Sequence, residues 1–303
     1  MFSEFGNVRI RISREFQLKY PQVAPVSLLE KVMLSNWERP LLETHARSWL
    51  SGIGTTAHKA MPTSVRVDSG RTVVPIDVLA KHFSGNEGGV LADREFRNTE
   101  TAISRGVNVP PPLALITLGN TDSFLLTALM RSVQPLSLKR IDYKITDLRV
   151  FPPDELLNFY LNAIAEMHDC GVVHGDLHLG NIGDQFSEEE SIRPIFFDLE
   201  TSTILADDDF RWKRFHTGYG YGQERQARFD GFETAAARDV GTFLAYLHHS
   251  GFPYKGRILI AEASRMYRGF RENSASVLNG RALRSNIEHS FQKTLASIKH
   301  HAQ

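Results

Sequence analysis

His174-Gly175-Asp176-Leu177-His178-Leu179-Gly180-Asn181, followed by Ile195-Phe196-Phe197-Asp198-Leu199-Glu200, is the stretch on which the reading of this chain turns. Transfer of a phosphoryl group needs few protein groups. One carboxylate must orient an acceptor hydroxyl and take its proton, oxygen ligands must hold Mg²⁺ on the phosphates, and a cation must position them. Asp176 suits the first role. Asn181, five positions on, and Asp198 suit the second. Gly175 and Gly180 permit a tight loop that brings Asp176 and Asn181 into one cleft, and the apolar run before Asp198 predicts a strand that holds this carboxylate rigidly.

Outward from this stretch the periodicity changes twice. Downstream, the chain from Thr234 reads mostly as helix. Just upstream, Pro153 and Asp154 open a predicted helix whose Leu156, Leu157, Tyr160, Leu161, Ile164 and Met167 share one face. Short strands are expected near Asn181–Gly183 and Ile195–Leu199, and a polar connector over Arg131–Arg140. Before the connector the chain is strand-rich. Ser64–Val67 and Val73–Phe83 flank Asp68-Ser69-Gly70-Arg71, a hairpin signal. Pro75 calls for a bulge or an edge position. Leu91–Arg105 reads as a helix stopped by Gly106 and Pro110–Pro112. Leu113–Leu118 and Ser123–Met130 are two more strands. Val8, Ile10 and Ile12 alternate with Arg9 and Arg11 as a half-buried strand, and a helix is expected around Ser27–Leu34. The expected organisation is an extension over 1–43, a sheet lobe over 44–131 and a helical lobe over 132–303, with the active site between the lobes.

His174-x-Asp176-x4-Asn181 with Asp198 resembles the catalytic and metal-binding loops of the protein-kinase-like superfamily. Gly175 and the Asp198-Leu199-Glu200 ending differ from ordinary eukaryotic protein kinases, which usually carry Arg and Gly there. Both resemble the atypical branch of aminoglycoside, choline and lipopolysaccharide core kinases. Arg94–Asn98 running into Arg105–Pro110, together with Gly171–His178, is most similar to the Kdo/heptose (WaaP-type) kinases, and the resemblance covers about residues 70–250. It implies an α+β, bilobal protein-kinase-like fold with a small antiparallel sheet and one helix in the N-lobe and a larger helical C-lobe. It implies ATP and Mg²⁺ as cofactors. It assigns Lys81 to the phosphates, with Glu95 (or Glu100) as its helix partner, Gly52 and Gly54 to a phosphate-covering turn, and Asp239 to anchoring the catalytic loop. His178 stands where many protein kinases place a phosphate-contacting Lys. His174 braces the loop, and adenine would meet the backbone near Ala128–Arg131.

Composition bounds the rest. The 303 residues carry 35 Lys+Arg against 35 Asp+Glu, which argues against nucleic-acid binding through bulk charge. The neutrality hides a pattern. Residues 1–150 hold 19 basic and 14 acidic side chains, 151–210 hold 1 and 14, and 211–303 hold 15 and 7. A single Cys170 excludes a disulfide framework and a Cys-rich zinc site. No run approaches the ~18 apolar residues of a membrane span. The start, MFSEFGNVRIRIS, lacks a signal peptide's apolar run. A cytoplasmic protein is expected, with room for peripheral contact at the inner membrane. The acceptor implied by the resemblance is an anionic glycan or glycolipid, which Arg211, Lys213, Arg214, Arg225 and Arg228 would attract. A protein Ser/Thr acceptor is the first alternative, and a pseudokinase scaffold the second.

Overall fold

A computed structural model describes residues 2–5, 8–19, 59–68, 73–85, 87–119, 122–130, 133–136, 152–186, 191–215, 223–271 and 280–301. Eleven strands and seven helices follow in chain order among them. They are β1 (Phe2–Phe5), β2 (Val8–Ile12), α1 (Arg14–Lys19), β3 (Lys59–Asp68), β4 (Val73–Ser84), α2 (Gly88–Ser104), β5 (Pro112–Leu118), β6 (Asp122–Ala128) and β7 (Val133–Pro135). After these come α3 (Pro153–Asp169), β8 (Val172–Val173), β9 (Ile182–Phe186), β10 (Ile192–Phe196), β11 (Thr203–Ile204), α4 (Asp207–Phe215), α5 (Gln223–His249), α6 (Gly256–Phe270) and α7 (Gly280–His301). The chain divides into two compact units, Met1–Gln134 with Gln185–Glu200, and Pro135–Asp184 with Thr201–Gln303. The expected architecture is therefore seen, an antiparallel sheet region followed by a helical one. The sheet unit adds the short α1 to the single helix expected there.

The first unit is built on a six-stranded sheet in the order β1-β2-β5-β6-β4-β3, with every neighbour antiparallel. The half-buried strand expected at Val8–Ile12 is β2, and it brings β1 to the outer edge. Strand alternation sorts the side chains onto two faces. Ile10, Ile12, Val78, Ala80, Ala114, Ile116, Phe124 and Leu126 form one core. Phe83, Leu115 and Leu125 form the other, closed by Ala92 and Phe96 of α2. Pro75 in β4 pairs with Arg66 on β3 but precedes Val78, where β6 begins to pair. Among the described residues no strand pairs with that other edge of β4 at Pro75, and the missing N–H breaks no ladder to β6.

Periodicity also settles α2. Ala92, Glu95, Phe96 and Thr99 fall at helical spacing and are all buried, so Glu95 lies in the stripe that covers the sheet. Gly106 ends the helix at φ +92°, as the sequence indicates.

The second unit is helical. The face expected on α3 is buried as read, from Leu156 to Met167. β8 pairs with β11, and Val173 packs with Leu205 against Phe229, Phe232 and Ala236 of α5. That helix begins at Gln223, eleven residues before the expected Thr234. The expected helix at 27–34 lies outside the described residues. No helix among the described residues is long and apolar enough to cross a membrane.

Candidate active site

Two groups of site residues are described, each within its own unit. In the first unit, strand alternation puts Lys81 on the same face as Phe83, toward α2. Lys81 Nζ lies 4.8 Å from the Phe83 ring centroid and donates to Glu95 Oε2 at 2.8 Å. Of the two partners weighed for Lys81, Glu95 is the one in contact. Glu100 instead meets Arg11 at 2.8 Å. Lys81 also donates to Asp198 Oδ1 at 2.8 Å and to Glu200 Oε2 at 3.3 Å.

The strand expected over Ile195–Leu199 ends earlier, because β10 stops at Phe196. Asp198 takes φ +57°, a left-handed conformation that is uncommon for a residue with a side chain. A 3-10 turn over Leu199–Thr201 follows, and Asn98 of α2 donates to the Leu199 carbonyl at 2.8 Å. This turn brings Glu200 to the same ammonium as Asp198. Glu200 is the functional candidate that the sequence reading passed over. Two carboxylates at i and i+2 after an apolar run were the available signal.

The electrostatics follow from three carboxylates around one ammonium. Burial opposes the charge on Lys81, but Glu95 and Asp198 outweigh it and hold the Lys81 pKa above its ordinary value. Glu95 is pushed up to about 7, first by burial, with Asp198 and Glu200 acting in the same direction against the pull of Lys81. Ligand oxygens of Glu95, Asp198 and Glu200 lie within 4.8 Å of one another. Three carboxylates crowd one ammonium, an arrangement that a divalent cation would relieve, and hard oxygen donors suit Mg²⁺.

In the second unit, the loop after β8 carries Asp176. Leu177 and Leu179 are buried and pin the loop, while Asp176 just before them is 53% exposed at its side chain. Gly175 explains why no Arg occupies that position. Its φ is +84°, and a Cβ there would lie 2.6 Å from the Thr201 carbonyl oxygen. The side chains of Thr201 and Ser202 both donate to the His174 carbonyl at 3.1 Å. Asp239 of α5 accepts the N–H of His174 at 2.6 Å and that of Gly175 at 2.9 Å, so both loop amides hang from one carboxylate. Burial pushes Asp239 up to about 6, against the pull of His174 and the two amides. His174 is fully buried and accepts the Asp176 N–H at 3.3 Å, a bracing arrangement.

Asn181 Nδ2 donates to the Asp176 carbonyl at 2.9 Å, which turns the amide oxygen into the end that can meet a cation. His178 Nδ1 accepts the Gly180 N–H at 2.9 Å. Its Nε2 lies 3.8 Å from Asp176 Oδ2, beyond hydrogen-bond reach. Gly52 and Gly54, expected in a phosphate-covering turn, lie outside the described residues. In the stretch expected to meet a base, the N–H groups of Ala128 and Leu129 already donate to the carbonyls of Pro111 and Asp77. Of the basic stretch expected to attract an acceptor, Arg225 and Arg228 both bind Asp209, Arg228 through two nitrogens at 2.7 and 3.1 Å.

No family model matches the chain, and no curated protein matches it. Among solved structures it is similar to WaaP in complex with acyl carrier protein, at 13% identity over 88% of this chain and 99% of that one, with a TM-score of 0.40. It is similar also to the BubR1 kinase domain, at 12% identity over 99% of this chain and 85% of that one, with a TM-score of 0.39.

Proposed function

We propose that the chain is an ATP- and Mg²⁺-dependent phosphotransferase that moves a γ-phosphoryl group to an acceptor hydroxyl. The observation that carries the reading is Lys81, held at 2.8 Å by both Glu95 and Asp198. A buried ammonium in that position is a ready partner for phosphate oxygens, and Glu95 keeps it from swinging away. Asp176, exposed on a pinned loop, orients the acceptor hydroxyl and takes its proton. Asp198 and Asn181 would hold Mg²⁺, which supplies neutralisation of the phosphate charge, and Glu200 adds a third carboxylate beside Glu95 and Asp198. His178, with Nδ1 occupied by the Gly180 amide, presents Nε2–H as a donor on the side of Asp176. Gly52 and Gly54 are proposed to cover the phosphates, and the domain limits at 43 and 131 remain part of the reading.

The acceptor proposed is a sugar hydroxyl of lipopolysaccharide core or a related anionic glycan, reached from the cytoplasm with peripheral membrane contact. The similarity of Gly171–His178 and Arg94–Pro110 to WaaP-type kinases supports it. The test is labelled ATP with Mg²⁺, offered separately to core glycolipid and to cell protein. Label is expected in the glycolipid. Asp176→Ala should lower transfer by about 10²–10⁴-fold. Label confined to protein would replace the glycan by a Ser/Thr acceptor, and undiminished transfer by Asp176→Ala would remove the assignment of the base.

A further inference from the structure

A chain of buried polar groups in the second unit runs from the end of α6 to the loop of Asp176, and none of its members touches a reacting atom. Arg271 is fully buried, with its charge met by Glu233 at 2.7 and 2.8 Å and by Asp169 at 3.0 Å. Arg271 Nη1 donates to Tyr267 Oη at 2.7 Å. Tyr267 Oη lies 2.6 Å from His168 Nδ1, and His168 Nε2 lies 3.2 Å from Asp239 Oδ2. Asp239 then holds the amides of His174 and Gly175. His168, Tyr267 and Asp239 are all within 2% of full burial.

The two ends set the direction of every proton between them. A guanidinium can only donate, so Tyr267 accepts from Arg271 and has its own O–H left to give. Burial holds the Tyr267 phenol above its ordinary pKa, so that proton stays in place. The acceptor at 2.6 Å is His168 Nδ1. A neutral imidazole whose Nδ1 accepts carries its proton on Nε2, which faces Asp239. The reverse tautomer would set a nitrogen lone pair against carboxylate lone pairs in a dry site, and an unmet acceptor pair is costly there.

We propose that Tyr267 is a positioning residue: it fixes the Nε2–H tautomer of His168, and His168 thereby completes the set of donors that holds Asp239 under the catalytic loop. The inference deepens the phosphotransferase reading, on which the role of Asp176 rests. The relay joins residues 99 and 71 positions apart, so α6 is coupled to a loop that precedes it by about a hundred residues.

The test uses the full chain with ¹⁵N-labelled histidine. At neutral pH, His168 is expected as the tautomer protonated on Nε2 alone. A proton on Nδ1, or on both nitrogens, would overturn the proposal. Tyr267→Phe keeps the ring and removes the hydroxyl, which is the donor to His168 and an acceptor for Arg271 Nη1; that nitrogen keeps Glu233 at 2.7 Å. In that variant the amide protons of His174 and Gly175 should exchange about tenfold faster, and kcat should fall about tenfold while the KM for Mg·ATP stays within about twofold. Unchanged exchange of both amides would overturn it. A wild-type chain that transfers no phosphoryl group would remove the phosphotransferase reading, while the tautomer and the amide exchange would still decide the relay.

Discussion

Lys81 shows how one position can be forced from two directions. Strand alternation turns it toward α2, and the helical stripe of Ala92, Phe96 and Thr99 puts Glu95 opposite it. Both periodicities were legible in the sequence. The third and fourth members of the cluster were less so. Asp198 was read as lying in the strand over Ile195–Leu199, yet its left-handed backbone and the 3-10 turn after it are what bring Glu200 in as well. A measurable consequence follows for Glu95. In the metal-free protein it binds its proton more tightly folded than unfolded. The stability it contributes is present below its unfolded pKa of 4.5 and is lost as pH rises through about 7. The urea midpoint should therefore fall between about pH 5 and about pH 8, and Glu95→Gln should flatten that slope. Mg²⁺ should raise the midpoint at about pH 8 and have little effect at about pH 5, because protons compete for the same oxygens. An equal effect at both values would show that the carboxylates are not the cation's ligands. Gly175→Ala is expected to lower activity steeply, since the clash with the Thr201 carbonyl must displace the loop of Asp176 or the turn that ends at Thr201; turnover measured beside the wild type would check this.

Among the elements, β2 gains a role that its sequence did not declare. Arg11 lies on the face of β2 opposite Ile10 and Ile12. It reaches α2 at Glu100 (2.8 Å) and Asp93 (3.4 Å), with its guanidinium 4.5 Å from the Phe96 ring centroid. The helix that carries Glu95 is thus clamped from the N-terminal strands, which the sequence reading set apart as an extension. Arg11→Ala should cost about 1 kcal/mol, a fall of about 2–4 °C in Tm, because the pairs are only partly buried. A thermal melt would check it, and an unchanged Tm would leave the clamp without weight. α5 starts ahead of the expected Thr234 for a plain reason. Residues 223–233 are mostly polar and contain Gly231, so their mean character hides the spacing of Phe229, Phe232 and Ala236, which is helical and buried. Reading intervals rather than composition would have recovered that turn. Further along α5, Gly241 permits a close approach. A Cβ there would stand 2.4 Å from the Ile287 carbonyl oxygen and 3.0 Å from the Phe291 amide of α7. Backbone cannot yield as a side chain does, so Gly241→Ala should destabilise by about 1–3 kcal/mol, seen as a lower Tm.

For the molecule as a whole, the zero net charge is a sum of opposed segments, and the structure shows where several of them cancel. Asp169 and Asp209 belong to the acidic segment 151–210, while Arg271, Arg225 and Arg228 belong to the basic segment after it. They meet as ion pairs inside the second unit. Asp198 and Glu200 of the same acidic segment meet Lys81 in the first. The carboxylates that remain in excess around Lys81 are those the proposed chemistry would use with Mg²⁺. That central claim is tested most directly by calorimetric titration of Mg·ATP into the wild-type chain, Asp176→Ala and Lys81→Ala. Saturable one-site binding is predicted for the wild type, nearly unchanged binding for Asp176→Ala, and binding weakened by about tenfold or more for Lys81→Ala, which loses a charge-assisted contact to phosphate. Absence of Mg·ATP binding by the wild-type chain would contradict the account.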